Sequence, residues 1–149
     1  MRVLTILVTS LATVLVANAS AQASPDREAV RRAALDYLEG FYTGDSTLIV
    51  RSIHPSVRKI GYFKAKGSPE YQNEPMSFAE MNAYANNFKK NGRTTPASAP
   101  KQVDVFEVAD QTASAKVTAW WGIDYLHLAK YNGKWMIVNV MWQDPPPKS

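Results

Sequence analysis

The chain has no cysteine and only two histidines, His54 and His127, in 149 residues. The first absence excludes disulfides, thiol catalysis and thiolate-based metal sites. The second leaves too few imidazoles for a histidine-rich metal centre, and neither an H-x-x-x-H spacing nor a carboxylate cluster replaces them. No G-x-S-x-G, P-loop or G-x-G-x-x-G stretch occurs, so covalent-hydrolase, nucleotide and dinucleotide chemistry lack their motifs, and no cofactor is implied. Charge of one sign is also scarce. Seventeen basic against thirteen acidic residues give a net charge of +4, scattered along the chain, which argues for a solvated surface and no nucleic-acid partner.

No apolar run reaches the ~20 residues of a membrane-spanning helix. The longest such stretch, Val3 to Val16, follows Arg2 and leads to Ala21-Gln22-Ala23. This is the pattern of a secretory signal peptide over residues 1–23 with an A-x-A cleavage site, so the protein is expected to be exported, periplasmic or secreted, with no membrane attachment after cleavage. Removing 23 of the 149 residues leaves 126, and without Arg2 the basic count is 16 against 13, a net +3. That length suits one domain, taken as residues 24–144, with a Pro-rich tail over 145–149.

What is present is periodicity. Ser24-Pro25-Asp26 is a helix start, and Val30, Ala34, Tyr37, Leu38 and Phe41 form one apolar stripe ending near Gly44. Asp45 caps a short second helix that stops at His54-Pro55. Val57 to Phe63 reads as a strand, and KAKGSPEYQNEP as a second short strand or a flap. Ser77-Phe78-Ala79-Glu80 is a capping box for a third helix with Phe78, Met81, Tyr84, Ala85 and Phe88 on one side. After the loop RTTPASAP the period changes to two, predicting strands over 102–108, 112–120, 123–131 and 134–142.

The strongest local signal is Asn132-Gly133, the pair that favours a two-residue type I′ turn. Counting back from it pairs Leu128 with Ile137, Leu126 with Asn139 and Asp124 with Met141. One face then holds Asp124, Leu126, Leu128, Trp135, Ile137, Asn139 and Met141, and a two-residue loop at Trp121-Gly122 adds Ala115, Val117 and Ala119. Asp124 and Asn139 are thereby placed among apolar residues. A structural hydrogen-bond network, a water-filled pocket or a one-residue register slip would each account for them. The opposite face, with Tyr125, His127, Met136, Val138, Val140 and Trp142, needs cover, and a homodimer packed through Tyr125, Val138, Val140 and Trp142 would supply it.

This order of elements resembles the cone-shaped α+β fold of the nuclear transport factor 2-like superfamily: three helices in the N-terminal half packed on a curved antiparallel sheet with a C-terminal four-strand meander. More narrowly, FYTGDSTLIVRSIHPSV, DYLHLAKYNGKWMIVNV and Asp124-Tyr125-Leu126 are similar to the bacterial family called putative lumazine-binding proteins. The resemblance spans about Asp26 to Trp142. It implies a cavity in the cone, with His54 near its mouth and Tyr37 or Tyr42 among its liners.

Candidate site residues follow. His54 is an acid/base candidate, since an unperturbed imidazole has a near-neutral pKa, or a histidine favoured by its helix end. Asp124 is a base, or a neutral donor if the cavity is dry. Asn139 orients a ligand carbonyl or bonds Asp124. Tyr62, Tyr84, Trp120 and Trp135 fit core spacings, and Trp135 is also a candidate ligand contact. Three functions compete: an exported small-molecule-binding domain, a cofactor-free lyase or isomerase using Asp124 or His54, and a structural dimerisation module.

Overall fold

A computed structural model describes residues 24–145, so the expected signal peptide and residues 146–149 of the tail lie outside the described residues. The elements are α1 (Pro25–Thr43), α2 (Ser46–Ser52), β1 (Ile53–Lys64), β2 (Tyr71–Pro75), α3 (Phe78–Lys90), β3 (Gln102–Val108), β4 (Thr112–Ala119), β5 (Gly122–Tyr131) and β6 (Lys134–Gln143). The helix starts use the expected caps. Ser24 accepts from the Arg27 amide, Asp45 from the Thr47 amide, and Ser77 and Glu80 bond each other reciprocally.

Six strands form one sheet in the order β2-β1-β6-β5-β4-β3. All neighbours are antiparallel except β1 and β6, which run parallel. The three helices cover one face of this curved, open sheet, and β3 to β6 form the meander. The core between them gathers Val30, Ala34, Tyr37, Leu38 and Phe41 of α1, Met81 and Ala85 of α3, and Leu126, Leu128, Ile137 and Val140 of the hairpin. Two carboxylates tie the helices down. Asp36 accepts from Arg32 and Arg51, joining α1 to α2, while Asp26 accepts from Lys130 and Trp135, joining the start of α1 to the β5–β6 hairpin.

The turn at Asn132-Gly133 has φ of 50° and 79°, and Tyr131 pairs with Lys134 as the sequence predicts. Leu128 also pairs with Ile137, but Val138 is then an extra residue and the next pair is His127 with Asn139. This bulge overturns the predicted Leu126–Asn139 and Asp124–Met141 pairs. Leu126 faces Val140, Tyr125 faces Met141 and Asp124 faces Trp142. The loop before β5 is Trp120-Trp121 rather than Trp121-Gly122, since Ala119 pairs with Gly122. That shift is two residues, so Ala115, Val117 and Ala119 stay on the core face.

Two further irregularities bend the sheet. The β1–β6 ladder runs from Ile53–Ile137 to Arg58–Asn139, so β1 carries the excess residues between Ile53 and Arg58. Pro55 lies within this segment and has no amide hydrogen for a ladder. The β3–β4 ladder skips Phe106. Bulges increase strand bending and twist, and here they curve the sheet around the helices.

A candidate aromatic cavity with a buried lysine

On the inward side of β1, Val57, Lys59 and Gly61 follow the two-residue period, which brings a lysine to the core face. Beside it lies Trp142, which the bulge places on the same side: a Cβ at Gly61 would stand 2.0 Å from the Trp142 indole nitrogen. Only a residue without a side chain lets the indole lie this close to β1. α3 contributes Tyr84 and Phe88, α1 contributes Phe41, the β4–β5 loop Trp120 and Trp121, and Met76 precedes α3. Together these eight residues line a cavity of about 210 Å³.

Behind the lining lies a hydrogen-bonded chain. The Lys59 ammonium donates to the Tyr37 hydroxyl at 2.6 Å, and that hydroxyl donates to Asp124 Oδ1 at 2.9 Å. The Trp121 indole N–H donates to Asp124 Oδ2 at 2.6 Å. Lys59 Nζ also stands 3.9 Å from Asp124 Oδ1, an ion pair whose hydrogen bonding passes through the tyrosine. The ammonium lies about 5 Å from the ring centres of Tyr37 and Phe41, whose π-faces attract a cation. Burial raises the Asp124 carboxyl above its ordinary value, against the pull of Lys59, Trp121 and Tyr37. Burial lowers the Lys59 ammonium, opposed by Asp124. Tyr37 is held well above its ordinary value by burial first and by the neighbouring carboxylate second.

Asp124 is fully buried, so the polar atom that the sequence marks as anomalous is accounted for by hydrogen bonds from Tyr37 and Trp121. Asn139 is not beside it. The bulge turns Asn139 to the opposite face, where it pairs with His127 and donates to the Arg58 carbonyl at 3.3 Å. Tyr42 braces the rim, accepting from the Trp120 amide at 3.0 Å and donating to the Pro100 carbonyl, with its ring edge-on to Trp121.

His54 is elsewhere. It is the second residue of β1 rather than the end of α2, its ring stacks on Tyr131 beside the hairpin turn, and its Nδ1 lies 2.7 Å from Ser56 Oγ. Five residues separate it from Lys59, roughly 15 Å along a strand, so His54 and Asp124 do not converge on one proton. Trp135 is likewise at the hairpin end. It is 3% exposed and its indole donates to Asp26 at 2.9 Å, seven residues and roughly 20 Å of strand from Trp142.

The expected dimer face also divides. Tyr125 is outward and 51% exposed, and Val138 is the bulged residue, but Val140 is fully buried and Trp142 lines the cavity. The outward partner of Tyr125 is Met141. Sequence reasoning missed Lys59, Phe41, Met76, Trp121 and Phe88 as cavity residues and assigned Tyr84 and Trp120 to the core. One signal for Lys59 was present, since it is in phase with Val57 on a strand whose inward face is apolar. Among the described residues no three His, Asp or Glu side chains gather as metal ligands, and no helix is long and apolar enough to cross a membrane.

Helices laid over a bent, mostly antiparallel sheet, with a cavity between α3 and the strand ends, make an α+β domain whose fold is the one seen in solved nuclear transport factor 2-like proteins. The chain belongs to the family described as "putative lumazine-binding", whose model matches residues 25–143. Among solved structures it is similar to a nuclear transport factor 2-like protein of unknown function from Silicibacter pomeroyi, at 16% identity over 78% of this chain and 93% of that one, with a TM-score of 0.63. A nuclear transport factor 2-like protein of unknown function from Methylobacillus flagellatus is 18% identical over 85% and 97% of the two chains, with a TM-score of 0.61. A ketosteroid isomerase-like protein from Erwinia carotovora atroseptica is 14% identical over 83% and 99%, with a TM-score of 0.55. At these identities the likeness is one of fold. No curated protein matches the chain.

Proposed function

We propose that this protein is an exported binding domain that holds a small planar molecule in the cavity between α3 and the sheet. The observation that carries the reading is the composition of the wall: Trp120, Trp121, Trp142, Phe41, Tyr84 and Phe88 supply aromatic surface, and among the described residues Lys59 is the one charged liner. Binding sites for small molecules combine apolar walls with few placed polar groups in this way. The volume of about 210 Å³ is below the roughly 300 to 1,000 Å³ of drug-sized pockets, which points to a ligand of one or two rings. The family name supplies a first probe of that size, lumazine itself. Asp124 acts from behind the wall, holding Tyr37 and Trp121 in place.

Titrating residues 24–149 with lumazine and a panel of one- and two-ring compounds, read by tryptophan fluorescence and native mass spectrometry, tests this. Saturable quenching and a retained one-to-one adduct are expected. Absence of both across the panel, with protein purified from its own envelope extract also carrying no adduct, would remove the binding reading. N-terminal sequencing of the mature protein checks export, with Ser24 as the expected first residue.

The lyase or isomerase alternative rests on Lys59 rather than on His54. A lysine held below its ordinary value beside a tyrosine-bridged carboxylate is an acid/base group on the cavity wall. A homodimer remains part of the proposal through the outward face, where Tyr125 and Met141 are each about half exposed.

A further inference from the structure

The polar end of the cavity is a cation with spare donors. Lys59 carries three N–H groups, and Tyr37 accepts one of them. Asp124 Oδ1, at 3.9 Å, is beyond hydrogen-bond distance, and the rings of Tyr37 and Phe41 attract the charge without accepting a normal hydrogen bond. The lysine side chain is 7% exposed, so bulk water does little to satisfy the remaining donors.

The counter-charge is placed asymmetrically. Asp124 and Tyr37 are both fully buried behind the wall, while Lys59 is on it. Each Asp124 oxygen already accepts a hydrogen bond. Among the described residues no Asp or Glu lines the cavity, so a group entering it meets the ammonium without meeting a carboxylate. The aromatic walls complete an amphipathic site, apolar along its length and cationic at one point. A ligand cation would be repelled by Lys59, and a purely apolar ligand would leave its donors unused.

Resting on the binding reading above, we infer that the cavity selects planar aromatic acids: one- or two-ring molecules whose body packs among Trp120, Trp121 and Trp142 and whose carboxylate accepts hydrogen bonds from Lys59. Charge-assisted N–H to carboxylate bonds are stronger than neutral ones, which makes the anionic group the discriminating part of the ligand.

The test compares 2-naphthoate with its neutral near-isostere 2-naphthamide by fluorescence titration at pH 7, on the mature protein and on Lys59→Met. The expected result is that naphthoate binds at least about tenfold more tightly than naphthamide to the natural protein, and that Lys59→Met abolishes this preference. Equal affinity of the two probes for the natural protein would overturn the inference, as would a preference surviving in a folded Lys59→Met. The natural-protein comparison needs no variant, so poor folding of Lys59→Met does not shield the claim. Binding of the amide without preference for the acid defeats only this inference. Failure of both probes to bind defeats it together with the cavity reading on which it rests.

Discussion

At the scale of single residues, the Asp124 site is a stability problem solved by partners. A buried carboxylate without them costs several kcal/mol, and Tyr37, Trp121 and Lys59 supply them here. Breaking one side of a buried pair strands the other charge, so Asp124→Asn should destabilise the protein by about 3 kcal/mol. Adding Lys59→Met removes the stranded cation, and the double variant should lose less than the sum of the two single losses. Urea midpoints of the four proteins check this, and simple additivity would contradict the coupling. The pH dependence has a definite sign. The raised folded value of Asp124 means that its contribution is present below the unfolded value and lost as pH rises through the folded one. The natural protein's margin over Asp124→Asn should therefore be widest below about pH 4 and narrow as pH rises toward the folded value. Asp26 behaves oppositely. Its value is lowered by Lys130 and Trp135, so its contribution is present above its unfolded value and lost on acidification, and Asp26→Asn should blunt the acid limb of the stability curve. Asp124 was legible as an inward polar residue from alternation alone. Its partners Tyr37 and Lys59 were not, because they lie 87 and 22 residues from their respective bond partners in the chain.

At the scale of elements, periodicity carried most of the boundaries. The caps at Ser24, Asp45 and Ser77 and the turn at Asn132-Gly133 are local chemistry, satisfied within a few residues, and the helices and strands begin and end close to them. The bulge at Val138 is different. Nothing local in Met-Ile-Val-Asn-Val marks which residue the ladder omits, yet that choice decides whether Asn139 or Val140 enters the core. The close approach of β1 to Trp142 gives a prediction at this scale. A methyl at position 61 falls 2.0 Å from the indole nitrogen, so Gly61→Ala should displace Trp142, cost about 1 to 3 kcal/mol and weaken cavity binding. A shift in tryptophan emission together with a lower urea midpoint is expected. Unchanged spectra and midpoint would mean that the strand can move away without effect.

At the scale of the whole molecule, the two faces of the sheet have different consequences. Val140 is fully buried, so Val140→Lys should unfold the protein or cost more than about 3 kcal/mol, whereas Met141→Lys, one residue on and 48% exposed, should leave the midpoint within about 0.5 kcal/mol. Light scattering after size-exclusion chromatography then separates assembly from stability. In the proposed dimer Met141→Lys shifts the mass toward monomer, and a natural protein that is already monomeric at micromolar concentration removes that dimer. By itself the sequence determined the helix caps, the hairpin turn, the order of elements and the inward placement of Asp124, since each follows from interactions among near neighbours or from a strict two-residue period. The tertiary structure alone decided which residues meet at the cavity, why Asn139 leaves it and why Lys59 faces it. Those outcomes depend on β1 joining β6 in parallel and on bulges that bend the sheet, contacts made between segments distant in the chain, where the free energy of packing the whole core selects one register over another.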